Sequence, residues 1–232
     1  MKLFLLIATF TLFTVSCNSI INITPNEDKG IKEVINFYGG YCKYSIGASA
    51  STQDGSKKYF ELELSKSEVL EKYADMPDVS ASNIAYIFYN NLKNESKNYD
   101  EIHVVILFKK DKYEASYSME KLELIKSKMK VLTQVVDLIK TKKFNDLKPL
   151  LSDGSYTDSA KDNLILNIQK LDPTFGNIKE FTPFGFRFET INGFNLVSIL
   201  GAMMRDKENN QFTLKVDSKP SENKVHYLDY KF

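Results

Sequence analysis

Leu122, Ile125, Met129, Leu132, Val136 and Ile139 recur at intervals of three and four residues. Only a helix brings such positions onto one face, so the spacing predicts a long helix over 120–142. On both sides lie stretches of period two, the repeat that puts alternate side chains on opposite faces of a strand. A long helix between two strand-bearing blocks constrains the chain to an α+β fold, with sheets covered by helices. The expected organisation is two small domains, 30–119 and 120–232, each an antiparallel or mixed sheet packed on helices. The helix at 120–142 would bridge them.

In the first block, Ile31, Val34, Ile35 and Tyr38 have helical spacing, and Gly39-Gly40 ends the run. YCKYSIGASAST and KKYFELELS alternate, and Asp54-Gly55 between them is hairpin chemistry because both residues tolerate positive φ. SASNIAYIFYNNLKN reads as a helix with Ser80 as N-cap and Ile84, Ile87, Phe88 and Leu92 along one side. EIHVVILF is almost continuously apolar, as expected of a strand in a sheet centre, and KYEASYSM alternates strictly. In the second block, KFNDLKPLLSDG predicts a short helix ending at Asp153-Gly154. SAKDNLILNIQKL predicts another, with Leu164, Ile168 and Leu171 on its face. After Pro173 and Gly176 the pattern turns to strands. EFTPFGFRFETI would set Phe184, Phe186 and Phe188 opposite Arg187 and Glu189. NLVSILGAMM, QFTLKV and VHYLDYKF follow, with turns at Asn209-Asn210 and in 217–224.

The amino terminus is of another kind. Lys2 precedes an apolar run from Leu3 to Phe13, too short for a bilayer span of about 20 residues. It suits a signal-peptide core followed by small residues at a cleavage site. Thr14-Val15-Ser16-Cys17 resembles a bacterial lipobox. The resemblance covers 1–17 and departs from the family at Thr14, where Leu or Val is commoner. It implies a signal peptide over 1–16, cleavage before Cys17, and a diacylglycerol on the Cys17 thiol. Two or more acyl chains give durable anchoring at about 0.8 kcal/mol per buried methylene. Residues 17–29, polar apart from isoleucines and containing Pro25, would then be a lipidated tether.

Composition excludes several chemistries. A hydrophobic fraction of 43% supports a packed core, in a mature chain of about 215 residues. The net charge of +1 gives no global attraction for nucleic acid. Arg187 and Arg205 are the only arginines, which counts against phosphate or nucleic-acid reading by bidentate guanidinium contacts. There are two cysteines, so a lipidated Cys17 leaves Cys42 without an intrachain partner; it reads as a small buried apolar residue. His103 and His226 belong to different blocks, and no HxH, HExxH or CxxC spacing occurs, so neither a metal nor a cofactor is expected. No GxSxG elbow or glycine-rich phosphate loop is present.

Helices followed by a run of antiparallel strands, with Phe144, Leu147, Leu150, Leu151 and Gly176 between and after the helices, give 120–232 its own resemblance. It resembles the nuclear transport factor-like, or cystatin-like, cone. That implies a curved sheet wrapped on helices with a pocket at the wide end. Such a cone could host acid–base chemistry where polar groups enter the pocket. The candidates are His226 and Asp229, assisted by Tyr227 or Tyr230; alternation puts His226, Leu228 and Tyr230 on one face and Tyr227 and Asp229 on the other. A phenylalanine-rich face is more often core, and fold alone does not confer function.

The sequence therefore favours a non-catalytic, membrane-anchored lipoprotein of the bacterial cell envelope. If the envelope is Gram-negative, the outer membrane is expected; if Cys17 is not lipidated, the protein would be secreted. It would bind an envelope protein or small ligand, and no nucleic acid. The alternatives are a small hydrolase or isomerase using the His226 group, and an inhibitor of an envelope enzyme. Ten of the 13 tyrosines fall in the first block, where exposed rings would make a contact surface.

Overall fold

The computed structural model describes residues 22–51 and 55–231. The leader, Cys17 and Asp54 lie outside them. The chain is α+β, with two four-stranded sheets packed on helices.

The first helix, α1 (Pro25–Tyr38), begins six residues before the apolar spacing does. Thr24 and Glu27 form a reciprocal capping box, and Pro25 occupies the first turn, where its missing N–H costs nothing. Glu27 is buried and also accepts a 2.6 Å hydrogen bond from the Tyr99 hydroxyl. Residues 25–29 are therefore part of the fold and not of the tether expected over 17–29. Polarity alone misled there, because Glu27 is satisfied inside the protein.

Strands β1 (Tyr41–Ser51) and β2 (Gly55–Ser65) form an antiparallel hairpin. A short helix α2 (Glu68–Lys72) and then α3 (Pro77–Leu92) carry the chain to β3 (Glu101–Leu107), which pairs parallel to β2. The antiparallel β4 (Lys112–Ser118) completes the sheet in the order β1-β2-β3-β4. Phe60, Leu62 and Leu64 of β2 and Ile102, Val104 and Ile106 of β3 face the helices and are almost wholly buried. Gly30 lets α1 cross close over α3: a Cβ there would lie 2.8 Å from the Phe88 ring. Helix α3 starts at Pro77, not after Ser80. Proline pre-sets the first turn, and Ser80 is buried within it, where its carbonyl accepts from the Tyr38 hydroxyl.

Helix α4 (Met119–Lys140) buries Leu122, Ile125, Leu132, Val136 and Ile139, as its spacing predicts, together with Val131, Val135 and Lys128. A 3-10 turn over 144–150 leads to α5 (Asp158–Phe175), which runs through Pro173. Its buried face is Ile165, Ile168, Asp172 and Phe175, one residue out of step with the apolar positions Leu164 and Leu171. The second sheet is an antiparallel meander of β5 (Ile178–Ile191), β6 (Phe194–Arg205), β7 (Asn210–Asp217) and β8 (Val225–Lys231). Two register irregularities interrupt β5, at Ile178/Glu180 and Pro183/Gly185. The second falls at Phe184 and takes it out of the expected phenylalanine row; Phe186 and Phe188 keep one face, with ring centroids 6.0 Å apart, Phe186 buried and Phe188 41% exposed.

Both halves contribute to one continuous apolar core. The amino end of α3 rests on the middle of β5. Gly185 is required there, since a Cβ would lie 2.1 Å from the Val79 carbonyl oxygen. The Phe186 amide donates to Ser82 Oγ at 2.8 Å, and Arg187 pairs bidentately with Asp78, its Nη2 at 2.9 Å from Oδ1. The Arg187 guanidinium holds the Asp78 carboxyl below its ordinary range. The two predicted blocks thus meet through a glycine contact, a hydroxyl cap and an ion pair.

Candidate functional site

The groups singled out from sequence in β8 separate. His226 sits at a register shift between β7 and β8, so it leaves the alternation that would align it with Leu228 and Tyr230. It is 3% exposed. Its Nδ1 lies 2.8 Å from Ser155 Oγ and its Nε2 lies 3.7 Å from Asp217 Oδ2. With the proton on Nε2, facing the carboxylate, Nδ1 accepts from the Ser155 hydroxyl. The Phe194 ring packs on the imidazole at 4.5 Å between centroids. Burial depresses the imidazole pKa, against the smaller opposing pull of Asp217 and Glu222. Ser155 and Asp217 were not singled out in sequence, because they lie 71 and nine residues from His226 and only folding brings them together.

A serine, a neutral histidine and a carboxylate in line have the elements of a nucleophilic relay. The surroundings are those of a structural knot. The Gly154 amide donates to Ser152 Oγ, and the Ser155 and Tyr156 amides donate to the Ser152 carbonyl. The donors beside Ser155 that could hold an oxyanion are thus engaged.

Tyr230 turns to a different task. Its hydroxyl donates to Asp172 Oδ1 at 3.0 Å and also contacts Arg205. Arg205 Nη1 donates to the same carboxylate at 2.9 Å and to the Gly176 carbonyl at 2.7 Å, while Nε donates to Asn210 Oδ1 at 2.8 Å. The Arg205 and Asp172 side chains are fully buried. This network ties α5 to β6, β7 and β8. The Tyr227 hydroxyl accepts from Asn192 Nδ2 at 2.9 Å, and Asp229 lies across from Thr213 in the β7–β8 ladder. The four candidates do not converge on one site.

The other expected residues are accounted for locally. His103 Nε2 lies 3.0 Å from Glu101, and its ring stacks on Tyr59 at 4.0 Å. Cys42 is half-buried, and burial pushes its thiol up to about 12, which suppresses the reactive thiolate. Among the first-half tyrosines, Tyr38, Tyr89 and Tyr99 are buried, whereas Tyr41, Tyr44 and Tyr73 are exposed. Tyr41 and Tyr44 lie three positions apart on β1 and so face opposite sides of the sheet. Among the described residues, no group of three or more His, Cys, Asp or Glu is placed to hold a metal ion. No helix among them is long and apolar enough to cross a membrane.

The concave feature that gathers both halves lies elsewhere. A groove of about 420 Å³ runs between α4 and the first residues of β5, with Tyr86 of α3 at its inner wall. Leu132, Val136, Ile178 and Phe181 make it apolar, and Asp137, Lys140, Lys179 and Glu180 bring charge to it. Burial, aided by the nearby Glu123 charge, raises the Tyr86 phenol to about 12. A second hollow along α4 shares Thr133 and Asp137 with the groove and adds Lys130 and Lys143. No sequence motif marks these residues. Their common signal is their position at the junction of two predicted blocks, where ligand clefts tend to form.

Comparison with protein-family models, with curated proteins and with solved structures finds no match.

Proposed function

We propose that this chain is a lipid-anchored binding protein of the bacterial cell envelope, and that its binding site is the groove between α4 and β5. The groove carries this reading. Its size is within the roughly 300–1,000 Å³ common for ligand sites, and an apolar floor with a few charged groups is their usual composition. The lipobox-like Thr14-Val15-Ser16-Cys17 supports the anchor, and a fold that starts by Thr24 leaves a short link to the bilayer. The open, curved second sheet is compatible with a cone of the nuclear transport factor-like type.

Two measurements test the reading. The intact mass of the protein extracted from cell membranes should correspond to a chain that begins at Cys17 and carries diacylglycerol. An unmodified or uncut chain would defeat the anchor. A neutral fluorescent naphthylamine should bind the purified protein and brighten. Thr133→Trp, a substitution at an exposed position of the groove wall, should abolish that binding without changing the circular dichroism. Equal brightening by the variant would remove the groove as the site.

The Ser155–His226–Asp217 arrangement favours a second reading, acyl-group hydrolysis. A fluorophosphonate probe separates the two. We expect no adduct, because the neighbouring amides are engaged and His226 is closed off. A labelled Ser155 would reverse the order of the readings.

A further inference from the structure

We infer that the occupant of this groove is an extended, acidic segment of a partner protein, which adds to the second sheet as a fifth strand beside β5. The inference rests on the groove being the binding site.

Among the described residues β5 is the outermost strand of its sheet, so one side of its backbone pairs with no described strand. That edge is treated in two ways along its length. Around residues 185–187 it is closed by α3: the Gly185 backbone abuts Val79, the Phe186 amide is capped by Ser82, and Arg187 is held by Asp78. Over 178–183 it faces α4 across the groove. There the Lys179 carbonyl accepts from Lys140 Nζ at 3.1 Å. A main-chain acceptor of an outer strand is thus aimed into the groove and satisfied by one exposed, flexible lysine. An incoming strand can supply an N–H in its place. Edge pairing gives affinity through the main chain, and pockets for alternate side chains give selectivity.

The same residues limit what fits. The register irregularities at Ile178/Glu180 and Pro183/Gly185 bound the regular part of this edge, and Pro183 has no N–H to offer, so only the short stretch around 180–182 can pair. Leu132, Val136 and Phe181 form an apolar floor for the side chains that point inward. Around the two joined hollows stand Lys130, Lys140, Lys143 and Lys179 against Asp137 and Glu180, four positive charges to two negative. Within the groove itself the charges balance, and the positive excess comes from Lys130 and Lys143 of the adjoining hollow along α4. An acidic segment complements this rim, whereas a second copy would bring lysines against lysines.

The test uses the mature chain in detergent and a random peptide display library. Enriched peptides should alternate apolar residues with Asp or Glu. Bound peptide should slow amide exchange within 178–182. Lys140→Glu should weaken binding about tenfold or more, Thr133→Trp should abolish it, and added salt should weaken it. Failure to enrich any peptide, enrichment of basic or helical peptides, or protection of a different segment would each overturn the inference. Binding to anionic lipid vesicles in place of peptides would also overturn it. If naphthylamine binding persists and remains sensitive to Thr133→Trp while peptides fail, only the choice of occupant falls. If both probes fail, the groove falls with it.

Discussion

His226 is an imidazole kept neutral by burial beneath Phe194, with Ser155 donating to one nitrogen. Its pKa is lower in the folded protein than the ordinary value of about 6.5, so the unfolded chain binds the proton more readily. The stability it contributes is complete above that ordinary value. It is lost as pH falls through the depressed pKa of the folded state. Urea midpoints of the native protein should therefore decline from pH 7.5 toward pH 5. His226→Gln should flatten that decline, although it lowers stability at neutral pH. An unchanged slope in the variant would mean that other groups carry the dependence. Gly185 makes a second prediction at this scale. Gly185→Ala drives a methyl group into the Val79 carbonyl and should cost about 2–3 kcal/mol of unfolding free energy, measured by urea titration.

The elements are joined by two buried cations that hydropathy does not reveal. Arg205 and Asp172 bring α5, β6, β7 and β8 to one point. Asp172→Ala would leave a buried guanidinium without its charge partner, at a cost of roughly 3–5 kcal/mol. Replacing both, as Asp172→Leu with Arg205→Met, should be much milder than the single change; equal losses would deny the coupling. Lys128, midway along α4, is fully buried and donates to the Lys219 and Glu222 carbonyls in the β7–β8 loop. Burial lowers its pKa, against the pull of Asp217 and Glu222. Lys128→Met should speed amide exchange in 218–224 more than in the β6 core. Uniform acceleration across the chain would show that Lys128 supports the whole fold and not this loop in particular.

For the whole molecule, the shared core and the α3–β5 contact imply that the halves unfold together. Hydrogen exchange in denaturant should show the β2–β3 core and the β6–β7 core opening at the same urea concentration. Two separated transitions would show that each half is a domain with its own stability. The same junction creates the groove, since α3, α4 and β5 each supply one wall. A function at the groove would therefore depend on both sheets remaining packed together.

By itself, the sequence determined the class of fold and most of its elements. The apolar period of α4, the alternation in β2 and β4, and the nearly continuous apolar run of β3 are local patterns, and local patterns survive without knowledge of partners. It also supplied the lipobox-like leader, which lies outside the described residues. Only the tertiary structure decided where α1 begins, because Glu27 is acceptable inside only with Thr24 and Tyr99 beside it. Only the tertiary structure decided the fate of the β8 candidates. A register shift turned His226 toward Ser155 and Asp217, and a buried ion pair claimed Tyr230. The groove was equally hidden, since its residues come from three elements and share no spacing. Periodicity records which side of an element meets the core. It holds no information about which polar groups from distant segments satisfy one another there, and that pairing decided the surroundings of His226 and Tyr230.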